Sequence, residues 1–313
     1  MPLPTDKNLI TLSEDLITGF QTLFGKHPGF RPNHARGVLL TGTFVPSSFA
    51  ATLSSAPHFN QSSIPVTVRF SSATGLPLVS DTDPAANPRS TSIRFHLGDR
   101  VHTDIISHSV NSFLARTGEE FLEFLRASAE SPPGGPSPSP REKWLAAHPA
   151  ALRFVKTPKP SPSSFARENY FGVHAYKFTN KDGKEQFARY RVTPDAGADH
   201  LDDATTEAKD PDFLFNEINT RIHQGPVSFQ LWAQIAEDGD TLDDVTVSWP
   251  ETRQVLDLGK ITLNAFVEDD PKEQKYIIFD PIPRVEGIEP SADPLLELRA
   301  SVNLLSGRQR RAA

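Results

Sequence analysis

The spacing of apolar residues near the start of the chain follows a helical period. The segment Thr11–Phe24 repeats apolar side chains at intervals of three and four residues, which predicts an amphipathic helix. Gly25 and Pro28 interrupt this pattern and predict the end of the helix. We therefore expect a helical N-terminal segment within residues 8–30.

From residue 37 onward the pattern favours strands in two sets, within residues 37–109 and 174–267. The stretches are rich in β-branched residues, and clusters of Pro, Gly, Asn and Asp separate them. Eight antiparallel strands are enough to close a small barrel that holds side chains or one ligand. The predicted strands are Val38–Val45, Val66–Ser72, Thr91–Leu97, Val101–Ser109, Ala175–Thr179, Phe187–Thr193, Val227–Ile235 and Ile261–Val267.

Further helices and one linker surround the predicted strands. A helical spacing of apolar residues predicts helices at Thr117–Glu130, Trp144–Val155, Asp212–Ile222 and Pro294–Leu305, the last within a C-terminal helix over residues 294–306. Residues 131–140 are too rich in proline for a helix or a strand, and predict a surface linker. The chain is thus expected to be one α+β domain, 1–313, in which helices flank an eight-stranded antiparallel β-barrel.

Composition excludes several classes of function. The absence of cysteine excludes disulfides, thiolate metal sites and a cysteine nucleophile. A formal net charge of −7, spread along the chain, does not predict a nucleic-acid surface, so we expect small-molecule partners. No signal-peptide pattern is visible, and no run approaches the roughly 18 apolar residues of a membrane span. We therefore expect a soluble, cytoplasmic protein with no membrane partner.

The candidate chemistry begins with an imidazole between two guanidinium groups. His34 lies between Arg31 and Arg36, immediately before the first predicted strand. Alternation along the second strand places Arg69 and Ser71 on one face. We expect these groups to meet at one opening of the barrel, although Arg69 is equally explained as an interior arginine paired with an acid such as Asp104.

A second group of polar residues follows the fourth predicted strand. Alternation places His102, Asp104, Ile106 and His108 on one face of Val101–Ser109. Together with His96, the histidines and the aspartate are a possible set of metal ligands. A Ser-His-Asp hydrolase is not indicated, since the chain has no Gly-x-Ser-x-Gly elbow, and phosphate-binding glycine loops are absent.

Five motifs, in this order, resemble those of the haem catalase family. The likeness runs from about Thr18 to Arg311 and is strongest to the short branch, the catalase-related peroxidases. It implies a catalase-like fold with haem b in a pocket beside the barrel. The motifs are Arg31-x-x-His34-Ala-x-Gly37, Val68-Arg69-Phe70-Ser71, Asp83-Pro-x-x-Asn-Pro-Arg89, Gly172-Val-His174-Ala-Tyr-Lys-Phe178 and Phe279-Asp-Pro281 through Gly287-Ile-Glu289.

The resemblance also implies roles for individual residues. His34 matches the distal acid/base that moves a proton between the two peroxide oxygens. Ser71 would hydrogen-bond the other ring nitrogen of His34 and fix its tautomer. The remaining matches are three arginines at the haem propionates, Arg31, Arg69 and Arg310, together with a pocket aromatic, Phe113, and a barrel histidine of the family, His174.

Two positions depart from the family pattern. His108 stands where typical catalases hold a distal asparagine, and we interpret this as a shift from disproportionation toward peroxidase use of an organic reductant. The proximal iron ligand of the family is a tyrosine four residues after an arginine. Here Arg299 precedes Asn303, so Asn303 occupies the metal-ligand position. A carboxamide is a poor iron ligand and donates no anionic charge.

Three functions remain open at this point. The first is a haem peroxidase that acts on hydrogen or organic peroxides with an organic reductant, its iron ligated by Asn303, by water or by nothing. The second is a haem-free enzyme that uses His34 as a general acid/base on a small organic substrate, such as a carboxylate, in isomerisation, cyclisation or hydrolysis. The third is a binding protein without catalysis. The family resemblance further implies a homodimer.

Overall fold

A closed antiparallel β-barrel lies at the centre of the computed structural model, which describes residues 4–313. In ring order β1-β2-β3-β4-β5-β7-β8-β9, each strand pairs antiparallel with the next, and β9 closes on β1. The expected α+β barrel is confirmed. The strands are β1 Gly37–Pro46, β2 Ile64–Ser71, β3 Ser90–Gly98, β4 Val101–His108, β5 Tyr170–Phe171, β6 Tyr176–Thr179, β7 Glu185–Pro194, β8 Val227–Ile235, β9 Val255–Phe266 and β10 Ile288–Pro290.

The barrel closes through a strand that the sequence pattern did not reveal. The two-residue strand β5 connects β4 to β7, with His108 opposite Phe171 and Tyr170 opposite Val192. The predicted strand Ala175–Thr179 is present as β6, but it pairs farther along β7 and continues into β10. A strand of two residues is too short to show alternation, so only the tertiary structure identifies it.

Helices pack outside the barrel, and several differ from the predicted bounds. The helices are α1 Lys7–Phe24, α2 Ala50–Leu53, α3 Gly118–Ala129, α4 Pro140–Ala147, α5 Pro149–Lys156, α6 Asp203–Glu207, α7 Phe213–Gln224, α8 Asp270–Tyr276 and α9 Pro294–Ala312. The predicted helix Trp144–Val155 is two helices, because Pro149 lacks the N–H that would continue the first one. Within residues 4–313, no helix is long and apolar enough to cross a bilayer.

Both predicted terminal segments have different ends in the structure. Helix α1 stops at Gly25, whose positive φ of 82° is a conformation that favours glycine, so the helical segment does not reach residue 30. Helix α9 continues to Ala312, beyond the predicted residue 306. The proline-rich linker is shorter than 131–140, because Ser139 caps α4 in a capping box with Glu142.

The barrel interior is apolar, and this fixes which side chains point outward. The ring centroid of Phe70 lies 5.5 Å from that of Phe165 and 5.7 Å from that of Phe229, and all three side chains are buried. Because side chains alternate along a strand, the neighbours of Phe70 on β2, Arg69 and Ser71, face away from this core. The polar residues of the second motif therefore lie on the outer wall of the barrel.

Candidate functional site

The main cavity of the described chain lies against the outer wall of β2, β3 and β4. Helices α1, α3 and α9 and residues 277–279 enclose the other sides, and the empty space is about 1310 Å³, including its opening to solvent. Two rows of paired residues line the wall: Ser71, Ser90 and His108, then Arg69, Ser92 and Ile106. The short serine side chains leave a broad, shallow floor between the longer ones. The expectation that these groups meet at an opening of the barrel is wrong.

His34 enters the cavity from the loop before β1 in a left-handed conformation. Its φ is 56°, which is uncommon for a residue other than glycine and is retained when surrounding contacts impose it. Nδ1 lies 3.1 Å from the main-chain carbonyl of Ser72. Because a carbonyl only accepts hydrogen bonds, Nδ1 of neutral His34 carries the hydrogen and Nε2 keeps a free lone pair. Burial, and then the charge of Arg69, lower the pKa of His34 to about 4.

The contact at Nδ1 differs from the one implied by the resemblance. Ser71 is buried and lines the cavity, but the carbonyl of Ser72, rather than the Ser71 hydroxyl, contacts His34. The buried Arg89 guanidinium fixes the position of Ser72, because it donates to the Ser72 hydroxyl at 2.6 Å and to the Asp81 carbonyl at 2.7 Å. Arg89 is the last residue of the third motif, so that motif positions His34 indirectly, through Ser72.

Arg69 crosses over β1 and ties His34 to the barrel wall. Its Nη2 donates to the His34 carbonyl at 2.9 Å, and its Nε donates to Gln274 Oε1 at 2.9 Å. A Cβ on Gly37 would stand 2.4 Å from the same Nη2. Glycine is therefore needed at the end of the first motif, because the guanidinium fills the space of a side chain. The alternative pairing of Arg69 with Asp104 is wrong, since Asp104 accepts two hydrogen bonds from Arg94.

Three guanidinium groups gather at one end of the cavity. Arg31 and Arg310 both donate to the carbonyl of Ile277, at 3.1 and 2.9 Å. Arg69 is close enough for its charge to lower the pKa of Arg31. Burial, followed by mutual repulsion, lowers the pKa of Arg31, and the same causes lower the pKa of Arg69 to about 9. Asp270 is the carboxylate whose charge opposes this repulsion. This end of the cavity thus favours an anionic ligand.

The α9 wall presents Asn303 and a buried polar relay. Asn303 lines the cavity, and its Nδ2 donates to the Phe279 carbonyl at 3.0 Å. One turn earlier, the Arg299 guanidinium donates to His174 Nε2. His174 Nδ1 in turn donates to Asp293 at 2.7 Å, so His174 is neutral with its hydrogen on Nδ1. The relay holds Arg299 beside the cavity but supplies no anionic ligand to it.

His108 and Phe113 complete the cavity beside β4. Phe113 lines it and packs against Phe121 with ring centroids 5.2 Å apart. His108 Nδ1 accepts a hydrogen bond from the Val110 N–H at 3.3 Å. Its buried Nε2 has no hydrogen-bond partner among residues 4–313. Burial, followed by the charge of Arg299, lowers the pKa of His108 to about 3.

Other sequence candidates lie elsewhere. Arg36 points away, donates to Asp212 at 2.6 Å and covers the Phe215 ring. His96 contacts Thr67 on the barrel surface. Residues 4–313 contain no group of three or more His, Cys, Asp or Glu that could hold a metal ion, so the proposed set of His96, His102, Asp104 and His108 does not converge.

Helix α8 supplies functional contacts that the sequence analysis missed. Gln274 accepts from Arg69 and donates to the Gly37 carbonyl at 2.7 Å and to Asp270 at 2.9 Å. Asp270 also accepts from the Leu39 N–H at 2.9 Å. One sequence signal could have revealed helix α8: an aspartate suited to an N-cap, Asp269, followed by Asp270 and Pro271, is typical of the start of a helix.

The buried histidines predict an acid-sensitive fold. His34 has a pKa of about 4 in the folded chain, whereas an unfolded imidazole titrates near 6.5. The unfolded state therefore binds more protons, and stability falls as the pH drops from about 6.5 to about 4. His34→Asn removes this group while tolerating the left-handed backbone, and should weaken the pH dependence by up to about 3 kcal/mol. Urea unfolding of the protein expressed without added cofactor measures it. Parallel pH profiles of wild type and variant would contradict the prediction.

The geometry can now be compared with known proteins. A family model described as Catalase matches residues 28–310. A catalase-related peroxidase of Mycolicibacterium paratuberculosis is 34% identical over 296 residues, covering 92% of this chain and 93% of the relative. Another catalase-related peroxidase, from Synechococcus elongatus, is 32% identical over 301 residues, which cover 95% of this chain and 88% of the relative.

Solved structures show the same fold. A fungal catalase aligns with a TM-score of 0.81 at 21% identity, covering 92% of this chain and 61% of that protein. Catalase A from Saccharomyces cerevisiae aligns with a TM-score of 0.80 at 20% identity, and the alignment covers 91% of this chain and 62% of that protein. These likenesses confirm the catalase-like barrel and the oxidoreductase class that the motifs implied. The chain belongs to the catalase family.

Proposed function

We propose that this protein is a haem peroxidase that reduces hydrogen or organic peroxides with electrons from an organic reductant. The observation that carries the proposal is the pairing, in one cavity, of an uncharged base at His34 with three guanidinium groups. A dicarboxylate cofactor satisfies the cationic end, and the free lone pair of His34 Nε2 serves a proton donor such as a hydroperoxide. The names of the two similar catalase-related peroxidases support this assignment.

The residues around the cavity fit the periphery of a haem. Arg31, Arg69 and Arg310 would hold the two propionates, and the buried Nε of Arg310 has no partner among the described residues. The serine floor and the apolar side chains of α1, α3 and α9 provide flat walls for the macrocycle.

The chain's own contribution to catalysis is proton transfer and exclusion of water. A hydroperoxide takes up two electrons and two protons to give an alcohol, or water, and a second water. His34 Nε2 accepts the peroxide proton and returns it to the oxygen that leaves, while Ser72 keeps Nδ1 protonated. When bound, haem supplies the redox centre at which the O–O bond is cleaved and to which the reductant delivers electrons.

The position of Asn303 favours a second candidate function. Asn303 would offer a bound haem a neutral carboxamide in place of a phenolate, and a carboxamide is the weaker ligand for iron. A haem-free site would retain His34 as a base and the three arginines as a carboxylate clamp. That chain would act on a small organic acid by isomerisation, cyclisation or hydrolysis. The following experiments separate the two candidates.

Porphyrin binding tests the arginine cluster without involving iron. Metal-free protoporphyrin IX should raise the melting temperature of the protein, and its dimethyl ester should not, because the ester lacks the carboxylates that the guanidiniums bind. Arg310→Met should weaken binding by about 10- to 100-fold, the range expected for hydrogen bonds to a charged group. Arg311→Met, at the exposed neighbouring position, is the matched control. If protoporphyrin IX and its dimethyl ester bound equally well, or if neither bound, this haem site would be excluded.

Peroxide turnover tests the role of His34. In the haem-loaded protein, oxidation of a phenol such as guaiacol by hydrogen peroxide should fall by about 10²- to 10⁴-fold in kcat/KM for His34→Asn, because the base is removed. His223→Asn, on the exposed surface of α7, controls for loss of an unrelated histidine. Full activity of His34→Asn would show that His34 is not the proton carrier.

Asn303→Tyr tests what faces the metal. Arg299 lies one turn before this position, where its charge would lower the pKa of a phenol and favour phenolate ligation. The variant loaded with haem should therefore show a shifted Soret band and a higher rate of peroxide turnover. Asn303→Phe, which has the ring without the oxygen, should show neither change. Identical spectra for the two variants would place residue 303 out of reach of the iron.

A further inference from the structure

A second imidazole lines the same cavity, and its tautomer is fixed by the backbone. The Val110 N–H can only donate, so the nitrogen it contacts, His108 Nδ1, holds a lone pair. A neutral His108 therefore carries its hydrogen on Nε2. That N–H is buried and has no acceptor among residues 4–313, which costs about 1–3 kcal/mol unless a ligand or water supplies the acceptor. The mechanism described so far does not use it.

His34 has the opposite tautomer for an equally local reason. Its Nδ1 faces a carbonyl, so its hydrogen is on Nδ1 and its Nε2 is an acceptor. Burial keeps the pKa of both rings well below neutrality, at about 4 for His34 and about 3 for His108. Both are uncharged at neutral pH. The cavity therefore contains one imidazole that can only accept at Nε2 and one that can only donate there.

His34 and His108 line the same cavity at opposite ends of one row of the barrel wall. Ser71, Ser90 and His108 are direct neighbours across β2, β3 and β4. Adjacent strands are about 4.8 Å apart, so His108 is roughly 10 Å from Ser71 along this row. His34 contacts the residue after Ser71, at the other end of the row. The intervening side chains are serines, which leave room for a small ligand between the imidazoles.

We propose that His34 and His108 are a complementary pair of neutral imidazoles, held in opposite tautomers, that binds and polarises a hydroperoxide. The inference rests on the proposed function and assigns a catalytic role to His108. The hydroperoxide O–H donates to His34 Nε2, and the His108 Nε2–H donates to the peroxide. A hydroperoxide offers both the donor and the acceptor on adjacent atoms.

The pair also determines how a proton moves and which ligands are rejected. His34 takes the hydroperoxide proton and delivers it to the oxygen that leaves as an alcohol or water. The O–O bond breaks as the reductant provides two electrons, and two further protons, from the reductant and solvent, convert the remaining oxygen to water. His108 stays neutral and stabilises the oxygen that gains negative charge. A carboxylate has no proton for His34, so carboxylates are directed to the arginine end instead.

Nitrogen-15 NMR of histidine-labelled protein tests the tautomers directly, with or without haem. At neutral pH, His34 should show its hydrogen on Nδ1, and His108 should show it on Nε2. The His34→Asn and His108→Gln spectra assign the two sets of signals. A hydrogen on His108 Nδ1, or the same tautomer in both rings, would overturn the proposal whatever the enzyme does.

Kinetics of two His108 variants test the role in catalysis. His108→Leu removes the donor and should lower kcat/KM for peroxide by about 10- to 100-fold, while His108→Gln, which retains an N–H donor, should recover most of it. Melting temperatures of the two variants identify losses that are only structural. Unchanged kcat/KM in His108→Leu, or a stable Gln variant as poor as Leu, would overturn the proposal. Correct tautomers without peroxide turnover in the wild type would instead reject the proposed function.

Discussion

The site depends on the Arg69 guanidinium, which lies over the backbone at Gly37. From there it reaches the carbonyls of His34 and Ala35, at 2.9 and 3.3 Å, and so joins the loop that carries His34 to β2. The contact holds the carbonyl of a residue with a left-handed backbone, a conformation that costs about 1–3 kcal/mol when nothing supports it. The barrel core determines the direction of Arg69, because the Phe70 side chain packs inward and the neighbouring side chain along the strand then points outward. One strand therefore couples the hydrophobic core to the position of the base.

The same arrangement creates an electrostatic imbalance. Burial lowers the pKa of Arg31 and of Arg69. The charges of Arg69 and Arg310 lower the pKa of Arg31 further, Arg310 does the same to Arg69, and Asp270 acts in the opposite direction. An anionic ligand would relieve this repulsion. The two ends of the cavity also differ in charge, because guanidinium groups gather at one end and the imidazoles of His34 and His108 are neutral. A ligand with an anionic group would be oriented by this difference in charge.

The two walls of the cavity differ in how closely they follow the family pattern. The β side retains His34, although the Ser72 carbonyl takes the place of the expected Ser71 hydroxyl at its Nδ1, whereas α9 presents Asn303 at the position of the expected ligand. The supporting relay of Arg299, His174 and Asp293 is nevertheless intact. A guanidinium held beside a carboxamide has no phenolate to stabilise. The α9 wall therefore keeps the supporting contacts of the family pattern without an anionic side chain at residue 303.

The sequence by itself determined the fold class, the motifs and the arginines and histidines that line the cavity, because alternation and ordered motifs are local features. It could not place Arg36 outside the cavity, reveal α8 with Gln274, or identify Ser72 as the partner of His34. It also missed β5, since two residues carry no period. These features depend on contacts between residues far apart in the chain. Only the tertiary structure decides them, because a hydrogen bond requires a specific distance and direction that composition and spacing do not encode.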